Sequence, residues 1–289
     1  MRPVAFDYTA PRYLEEVLLA LKQSSPTVLL AGGQSLLPEL NLRNLRPALV
    51  VDINSVSELQ GTGIDNNVLR LGALTRQRQL ECNNEIASFA PALAEAAALI
   101  GDPGVRRRGT LGGSLAQAQP GAELPTVAVL LDAQIEIAGP SGMRTVRARD
   151  FFLGPSQTAL QTGEVLVAVR TTQAASGESF AIRKLPARHY GRNYTAASRV
   201  RRDDTGCCTS AALVFNGAKR PYLVPTAMKN LIGTRTLPES HSRALAAQAV
   251  AEIADCGEPP PPQDRALVEA AVCSAFIGAW ARIRDGVQQ

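Results

Sequence analysis

Histidine is nearly absent from this chain of 289 residues, and only His189 and His241 occur. Neither has a carboxylate or cysteine at ligand spacing, which removes the usual donors of a metal centre. A Ser-His-Asp or Cys-His hydrolase would need one of the two as its base, and no G-x-S-x-G elbow offers a nucleophile. The five cysteines (Cys82, Cys207, Cys208, Cys256, Cys273) are odd in number and include no C-x-x-C, so neither a disulfide framework nor an iron–sulfur ligand set is expected here. Neither G-x-G-x-x-G nor G-x-x-x-x-G-K-[ST] occurs, which excludes a Rossmann site and a P-loop. Aromatics make up only 4% of the chain and the net charge is +4, too mild a balance and too few stacking rings for a nucleic-acid partner. The longest apolar stretches, 125–133 and 90–100, fall short of a membrane span, and no basic segment followed by an apolar core opens the chain. The expectation is a cytoplasmic protein with no membrane span.

What the chain does have is two glycine pairs, each just after an apolar run. The first is Val28-Leu29-Leu30-Ala31-Gly32-Gly33-Gln34-Ser35-Leu36, and the second is Arg108-Gly109-Thr110-Leu111-Gly112-Gly113-Ser114-Leu115. Glycine reaches backbone angles closed to other residues and lets an anion approach the main chain, so successive N–H donors can converge on a phosphate. Ser35, Thr110 and Ser114 add hydroxyls, and Arg106 to Arg108 bring positive charge to the second turn. Either turn alone reads as a tight connection; together they predict one extended ligand gripped from both sides. The cluster Arg199 to Arg202 reads instead as a solvated surface.

At 45% hydrophobic composition the chain can build full cores for about two domains. Leu14, Val17, Leu18 and Leu21 after Pro11 have helical spacing, and strands are predicted at 28–31, 48–53 and 68–74, with a loop at 61–63. The first fifty or so residues therefore form a β-α-β-like unit. An alanine-rich helix is predicted over 88–100, stopped by Gly101-Asp102-Pro103-Gly104, with buried segments at 127–131 and 134–138 and a hairpin turn at 139–142. Strands at 180–185 and 211–215 precede a helix over 243–255, capped by Ser242 and stopped by Gly257. A stiff linker at 259–262 leads to a final helix from 264 to about 284. The composition shift at 171–177 marks the domain boundary.

These residues resemble a known family. Ala31-Gly32-Gly33-Gln34-Ser35-Leu36-Leu37-Pro38, continued by Pro47 and Val50-Val51-Asp52-Ile53-Asn54, is similar to the first FAD-binding segment of the medium, flavin-carrying subunits of the molybdenum hydroxylases. That family includes xanthine dehydrogenase, CO dehydrogenase and quinoline oxidoreductase. Gly101-Asp102-Pro103, Arg106 through Ser114 and Ala122-Glu123-Leu124-Pro125 match its second flavin segment. Arg149-Asp150-Phe151-Phe152, Thr158-Ala159-Leu160, Gly163-Glu164-Val165-Leu166 and Phe180 with Lys184 and Arg188 continue the pattern in order.

The resemblance implies an α+β fold: a two-subdomain FAD-binding domain of the vanillyl-alcohol-oxidase/PCMH type, then a C-terminal α+β domain with a small antiparallel sheet. The boundaries expected are 1–175, with subdomains 1–57 and 58–175, and 176–289. It also implies FAD in this chain and no catalytic residue or metal ligand on it. A small subunit with two [2Fe–2S] clusters and a large subunit with a molybdenum-pterin cofactor would be the partners, in a dimer of heterotrimers. Carried over residue by residue, Ala31, Gly32, Gly33, Gln34, Ser35 and Leu36 would offer main-chain donors to the pyrophosphate, and Thr110, Gly112, Gly113 and Ser114 would grip the other side. Glu123 stands where an aspartate commonly binds flavin hydroxyls, and Lys184 on a lysine often near the isoalloxazine, where a cation stabilises reduced flavin. Ala118 and Tyr194 complete the implied set.

The chain departs from the family at Gln119, which replaces a common aspartate, at Ser114, which replaces an asparagine, at Asn193-Tyr194, and through 199–219. Two other readings stay open. One is a self-contained flavin oxidoreductase with His189, Tyr190, Tyr194 or Tyr222 as acid or base, and the other a scaffold subunit without flavin. Hydroxylation would occur on another polypeptide, with an aromatic N-heterocycle as the expected substrate. The acceptor is open among a quinone, oxygen and a nicotinamide.

Overall fold

The computed structural model describes residues 2–23, 26–186, 193–217, 219–256 and 259–285. Arg188, His189, Tyr190 and the predicted helix stop at Gly257 lie outside the described residues. The chain opens with β1 (Asp7–Thr9), α1 (Leu14–Gln23), β2 (Thr27–Leu30), α2 (Leu36–Asn41) and β3 (Leu49–Asp52), whose strands form a parallel sheet in the order β1-β3-β2. This is the expected β-α-β unit with β1 added. Val17 of α1 is fully buried beside Val51, Ile53 and Leu59, in a core that also takes in Leu74, Val165 and Val167 of the next layer.

That layer holds β4 (Thr62–Asp65) and β5 (Val68–Gly72), then six helices: α3 (Gln77–Cys82), α4 (Asn84–Phe89), α5 (Pro91–Ala98), α6 (Pro103–Arg108), α7 (Leu111–Gln117) and α8 (Glu123–Leu130). Strands β6 (Gln134–Gly139), β7 (Gly142–Arg147), the short α9 (Ala148–Phe151), the ribbon β8 (Phe152–Gly154) with β9 (Gln157–Thr158), and β10 (Val165–Thr172) complete it. The main sheet runs β4-β5-β10-β6-β7 with every pairing antiparallel. The hairpin at 139–142 is as expected. Of the predicted loop at 61–63, Thr62 and Gly63 instead start β4, an exposed edge strand joined to β5 through Asn66 and Asn67, both at positive φ as a two-residue hairpin turn requires. The single helix predicted over 88–100 is two helices, because Ala90 precedes Pro91 and leaves the helical region (φ −136°, ψ 67°). Residues 127–131 belong to α8 and its C-cap; every residue of α8 is buried, so no amphipathic period marks it.

The C-terminal part is an antiparallel sheet of β11 (Glu178–Pro186), β12 (Asn193–Arg202), β13 (Cys208–Asn216) and β14 (Tyr222–Leu223), in that order, with α10 (Pro225–Lys229), α11 (Glu239–Asp255) and α12 (Arg265–Asp285). Its side chains alternate between two cores. Phe180, Ile182, Ala197 and Val214 join the cluster built on α5 and α8, while Ala181, Ala196, Leu213 and Phe215 join α11 and α12. Arg199 to Arg202, expected as a solvated surface, lie in β12: Arg199 pairs with Glu178 at 3.4 Å, and the Arg202 guanidinium stands 4.8 Å over the Trp280 ring. Ser242 is not a cap but a buried residue inside α11, donating to the Pro238 carbonyl. Among the described residues α12 alone is long and apolar enough to cross a membrane, a feature the longest-run criterion overlooked. Val268, Val272, Ala275, Phe276 and Ala279 are fully buried in the C-terminal core.

Candidate functional site

A cleft of about 480 Å³ lies where the two glycine turns meet, with the loop before α8 and the start of β10 as further walls. The first turn follows β2. Gly33 adopts φ +72°, and the Leu37 amide folds back onto the Gly33 carbonyl. Among the described residues, the amides of Gly33, Gln34, Ser35 and Leu36 donate to no carbonyl. Consecutive free N–H groups of this kind concentrate positive potential and suit an anion.

The second turn is built differently, and here the expectation of two equivalent grips needs correction. The Gly112 amide donates to the Ala73 carbonyl (2.8 Å), the Gly113 amide to the Thr110 hydroxyl oxygen (3.1 Å) and the Ser114 amide to the Thr110 carbonyl (3.1 Å). Those donors are spent on holding α7, with Thr110 as its N-cap. Its glycines serve close packing: a Cβ on Gly112 would come within 2.6 Å of the Ala73 Cβ, and one on Gly109 would collide with Gln77. Gly32 plays the same part from the first turn, since its Cβ would stand 2.5 Å from the Arg108 carbonyl oxygen. The two turns therefore touch, and the phosphate-type donors come from one of them.

A polar tether that sequence reasoning missed fixes that contact. Arg76 donates to the Arg108 carbonyl (2.7 Å) and to Asn54 Oδ1 (2.8 Å), while Asn54 Nδ2 donates to the Ala31 carbonyl (2.8 Å) and to Asp52 Oδ1 (2.7 Å). Tyr8 closes the chain onto Asp52 Oδ2. Burial pushes the Asp52 carboxyl up, but hydrogen bonds from the Asn54 amide and side chain and from Tyr8, with the Arg76 charge, together hold it below the usual carboxylate range. Nothing in the sequence marks Arg76 as a partner of residues so far from it along the chain.

On the opposite wall Glu123 is buried in the first turn of α8, where the helix dipole favours a carboxylate. Lys184 Nζ stands 2.5 Å from Glu123 Oε1 and donates to the Leu99 carbonyl. Glu123 Oε1 is taken up by the ammonium, whereas the buried Gln77 Oε1 accepts no hydrogen bond. Both residues line the cleft, and the second oxygen of the Glu123 carboxylate keeps acceptor capacity for hydroxyl donors. Glu164 also lines it, held below the usual carboxylate range by Arg144, which grips both its oxygens at 2.6 Å.

Of the residues singled out in the sequence, Ala31 to Leu36, Thr110, Gly112, Gly113, Ser114, Gln119 and Glu123 all line this cleft. Lys184 meets it through Glu123. Ala118 ends α7 in the left-handed region (φ 45°) and is buried behind the wall. Tyr194 is in the C-terminal core, stacked on Phe215 with its hydroxyl donating to Asp264, and Tyr222 bonds with Cys256, so neither borders the cleft. The arrangement accommodates an extended nucleotide: free amides for a phosphate, with carboxylate and carboxamide acceptors for hydroxyls in the same cleft.

Comparison with known proteins agrees with this geometry. Residues 4–171 match the family described as the FAD binding domain in molybdopterin dehydrogenase. The carbon monoxide dehydrogenase medium chain of Hydrogenophaga pseudoflava is 36% identical over 98% of this chain and 99% of its own length. The 6-hydroxypseudooxynicotine dehydrogenase complex subunit alpha of Paenarthrobacter nicotinovorans is 35% identical over 88% of this chain and 86% of its own. Among solved structures, quinoline 2-oxidoreductase from Pseudomonas putida 86 superposes with a TM-score of 0.89 at 31% identity, covering 98% of this chain and 99% of that one.

Proposed function

The chain belongs to the family of FAD-binding medium subunits of the molybdenum hydroxylases, and from that membership we propose that it is the electron outlet of such an enzyme, taking electrons from the [2Fe–2S] clusters of a small subunit and delivering them to an external acceptor. It is an oxidoreductase subunit whose own cofactor is FAD; the iron–sulfur and molybdenum-pterin groups of the family belong to partner chains. Bound FAD supplies the redox chemistry, because an isoalloxazine exchanges electrons singly or in pairs and so links one-electron clusters to two-electron acceptors.

The residues divide the holding of that cofactor. The free amides of Gly33, Gln34, Ser35 and Leu36 bind the pyrophosphate, and this nest is the single observation that carries the reading. Ala31 and Gly32 shape the turn, and Thr110, Gly112 and Gly113 fix α7 so that Ser114 borders the cleft. The Glu123 carboxylate accepts from the flavin's hydroxyls, with Lys184 paired to it and lending a cation to reduced flavin. Ala118 supports the wall from behind, while Tyr194 packs in the C-terminal core. FAD is bound mainly within 1–175, by subdomains 1–57 and 58–175, with 176–289 as the C-terminal domain.

The proposed assembly is a dimer of heterotrimers with a small iron–sulfur and a large molybdenum subunit. The five free cysteines, Cys82 and Cys256 among them exposed, support a reducing compartment, the cytoplasm. For the substrate we favour an aromatic N-heterocycle, supported by relatives named for quinoline and for a hydroxylated nicotine derivative. The test is purification of the chain from its host under mild conditions, with the visible spectrum, iron, molybdenum and co-purifying chains determined together. Flavin bands with both metals and two further polypeptides are expected; flavin alone, reduced directly by a small substrate, would overturn the electron-outlet role.

A further inference from the structure

Loop 119–122, between α7 and α8, forms one wall of the cleft, yet its peptide groups are held from outside the FAD-binding domain. Asn216, at the end of β13, accepts from the Gly121 amide at 3.0 Å and donates to the Ala122 carbonyl at 3.0 Å, so its carboxamide pairs with the loop as a neighbouring strand would. Thr195, opposite Asn216 in the register of β12, donates its hydroxyl to the Gly121 carbonyl at 2.7 Å. Both side chains are completely buried. Gly121 has φ +75° and sits so tightly on the main chain of Asn193 that no Cβ would fit, and Lys184 of β11 adds the ion pair to Glu123. Three adjacent strands thus converge on one turn of chain. Glu123 follows Ala122 directly and lines the cleft, so the position of this loop decides where its carboxylate stands.

We infer that Thr195 and Asn216 are positioning residues for the flavin site, acting through Glu123, so that cofactor affinity depends on the C-terminal sheet and not only on residues 4–171. The inference rests on the assignment of the cleft to FAD. In a buried setting, removing one partner leaves the other unpaired and lets the loop shift to find water. Thr195→Val keeps the β-branched shape and deletes only the donor. Asn216→Asp keeps the size and sets an acceptor against the Ala122 carbonyl.

The full-length chain is stripped of flavin and titrated with FAD by fluorescence quenching, as wild type, Thr195→Val and Asn216→Asp, each also combined with Glu123→Gln. Each clamp variant is expected to raise the FAD dissociation constant about tenfold beside the native Glu123 and less than about twofold in the Glu123→Gln background. Equal losses in both backgrounds, or no loss, would overturn the inference, because a purely structural role does not depend on the charge at position 123. Thr195→Val alone suffices should Asn216→Asp fail to fold. Hydrogen exchange at the Gly121 amide, measured without FAD, is expected to quicken at least about tenfold in both variants. If the wild type takes up no FAD, the flavin assignment fails, and the clamp is judged on that exchange; unchanged exchange overturns it.

Discussion

A methyl group on Gly32 would stand 2.5 Å from the Arg108 carbonyl oxygen and 2.8 Å from the Gly109 Cα, backbone atoms that cannot turn aside as a side chain would. Gly32→Ala is therefore expected to push the two turns apart, with loss of bound flavin and a destabilisation of about 2–4 kcal/mol, read from urea unfolding and the flavin-to-protein absorbance ratio. Gly61→Ala is the control: its φ is +85° but nothing lies within 4 Å, so only backbone strain remains, about 1 kcal/mol with flavin retained. If the two variants behave alike, the close approach of the turns is not what requires Gly32. Glu164 gives a prediction in pH. The Arg144 guanidinium, then the Gln161 amide, hold its carboxyl below the ordinary value, so the folded state binds the proton less readily than the unfolded one. The stabilisation is present above the unfolded value of about 4.3 and is lost as pH falls through the folded one. Arg144→Met should then cost on the order of 1 kcal/mol more at pH 7 than near pH 2, where only the bond to the Ala159 carbonyl and packing are lost, and an equal cost at both would show that the ion pair contributes nothing. At this scale Gly33 and the turn it shapes were legible in the sequence, because an apolar strand running into a glycine pair has few other solutions. The spending of the second turn's amides was not, since Ala73 and Thr75, which accept from Gly112 and Leu111, are distant in sequence.

Helix α7 depends on the residue that caps it. The Thr110 hydroxyl oxygen caps the Gly113 amide while the Thr110 carbonyl receives Ser114, so one side chain and one peptide start a helix of seven residues that carries two glycines. So short a helix has little propensity of its own. Thr110→Val keeps the shape, removes the cap, and should cost about 1 kcal/mol by denaturant unfolding while Thr110→Ser costs less; equal losses would assign the effect to the methyl group. Elements with amphipathic spacing or turn chemistry could be read directly: α1 from Val17 and its helical neighbours, β2 and β3 from their apolar runs, the β6–β7 hairpin from Gly139 and Gly142. Helix α8 could not be, because burial on all sides erases the period, and β12 was hidden by Arg199 and Arg201 placed among its inward-facing residues. Ser242 shows the converse error. A residue type suited to a cap sits within α11 because Pro238 already begins the helix, and the hydroxyl bonds back to the Pro238 carbonyl instead.

The cores of the whole molecule do not stop where its sequence composition changes. Phe180, Ile182, Ala197, Ala212 and Val214 of the C-terminal sheet lie in one cluster with Leu93 of α5 and Leu124 and Val127 of α8. Across the same seam Glu95 receives both Arg282 and the Ile182 amide, and Asn216 and Thr195 hold the cleft loop. Separating the two parts would expose that shared core and leave buried polar groups unpaired, so neither should unfold alone. A ligand that binds only the folded state stabilises it by RT ln(1 + [L]/Kd), about 2.7 kcal/mol at a hundredfold excess over Kd. At roughly 2–4 °C per kcal/mol for a chain of this size class, FAD should raise the midpoint by about 5–10 °C. Because the unfolding unit includes the C-terminal sheet, calorimetry of the apo and FAD-loaded full chain should show one transition that moves as a whole, with the near-ultraviolet signal of Trp280 in α12 lost at the same temperature as the flavin signal. Two transitions, of which only one responds to FAD, would mean that the C-terminal layer folds on its own and that the bonds across the seam carry little free energy. A single transition unmoved by FAD would mean that the folded chain does not bind the cofactor at that concentration, and would overturn its assignment to the cleft.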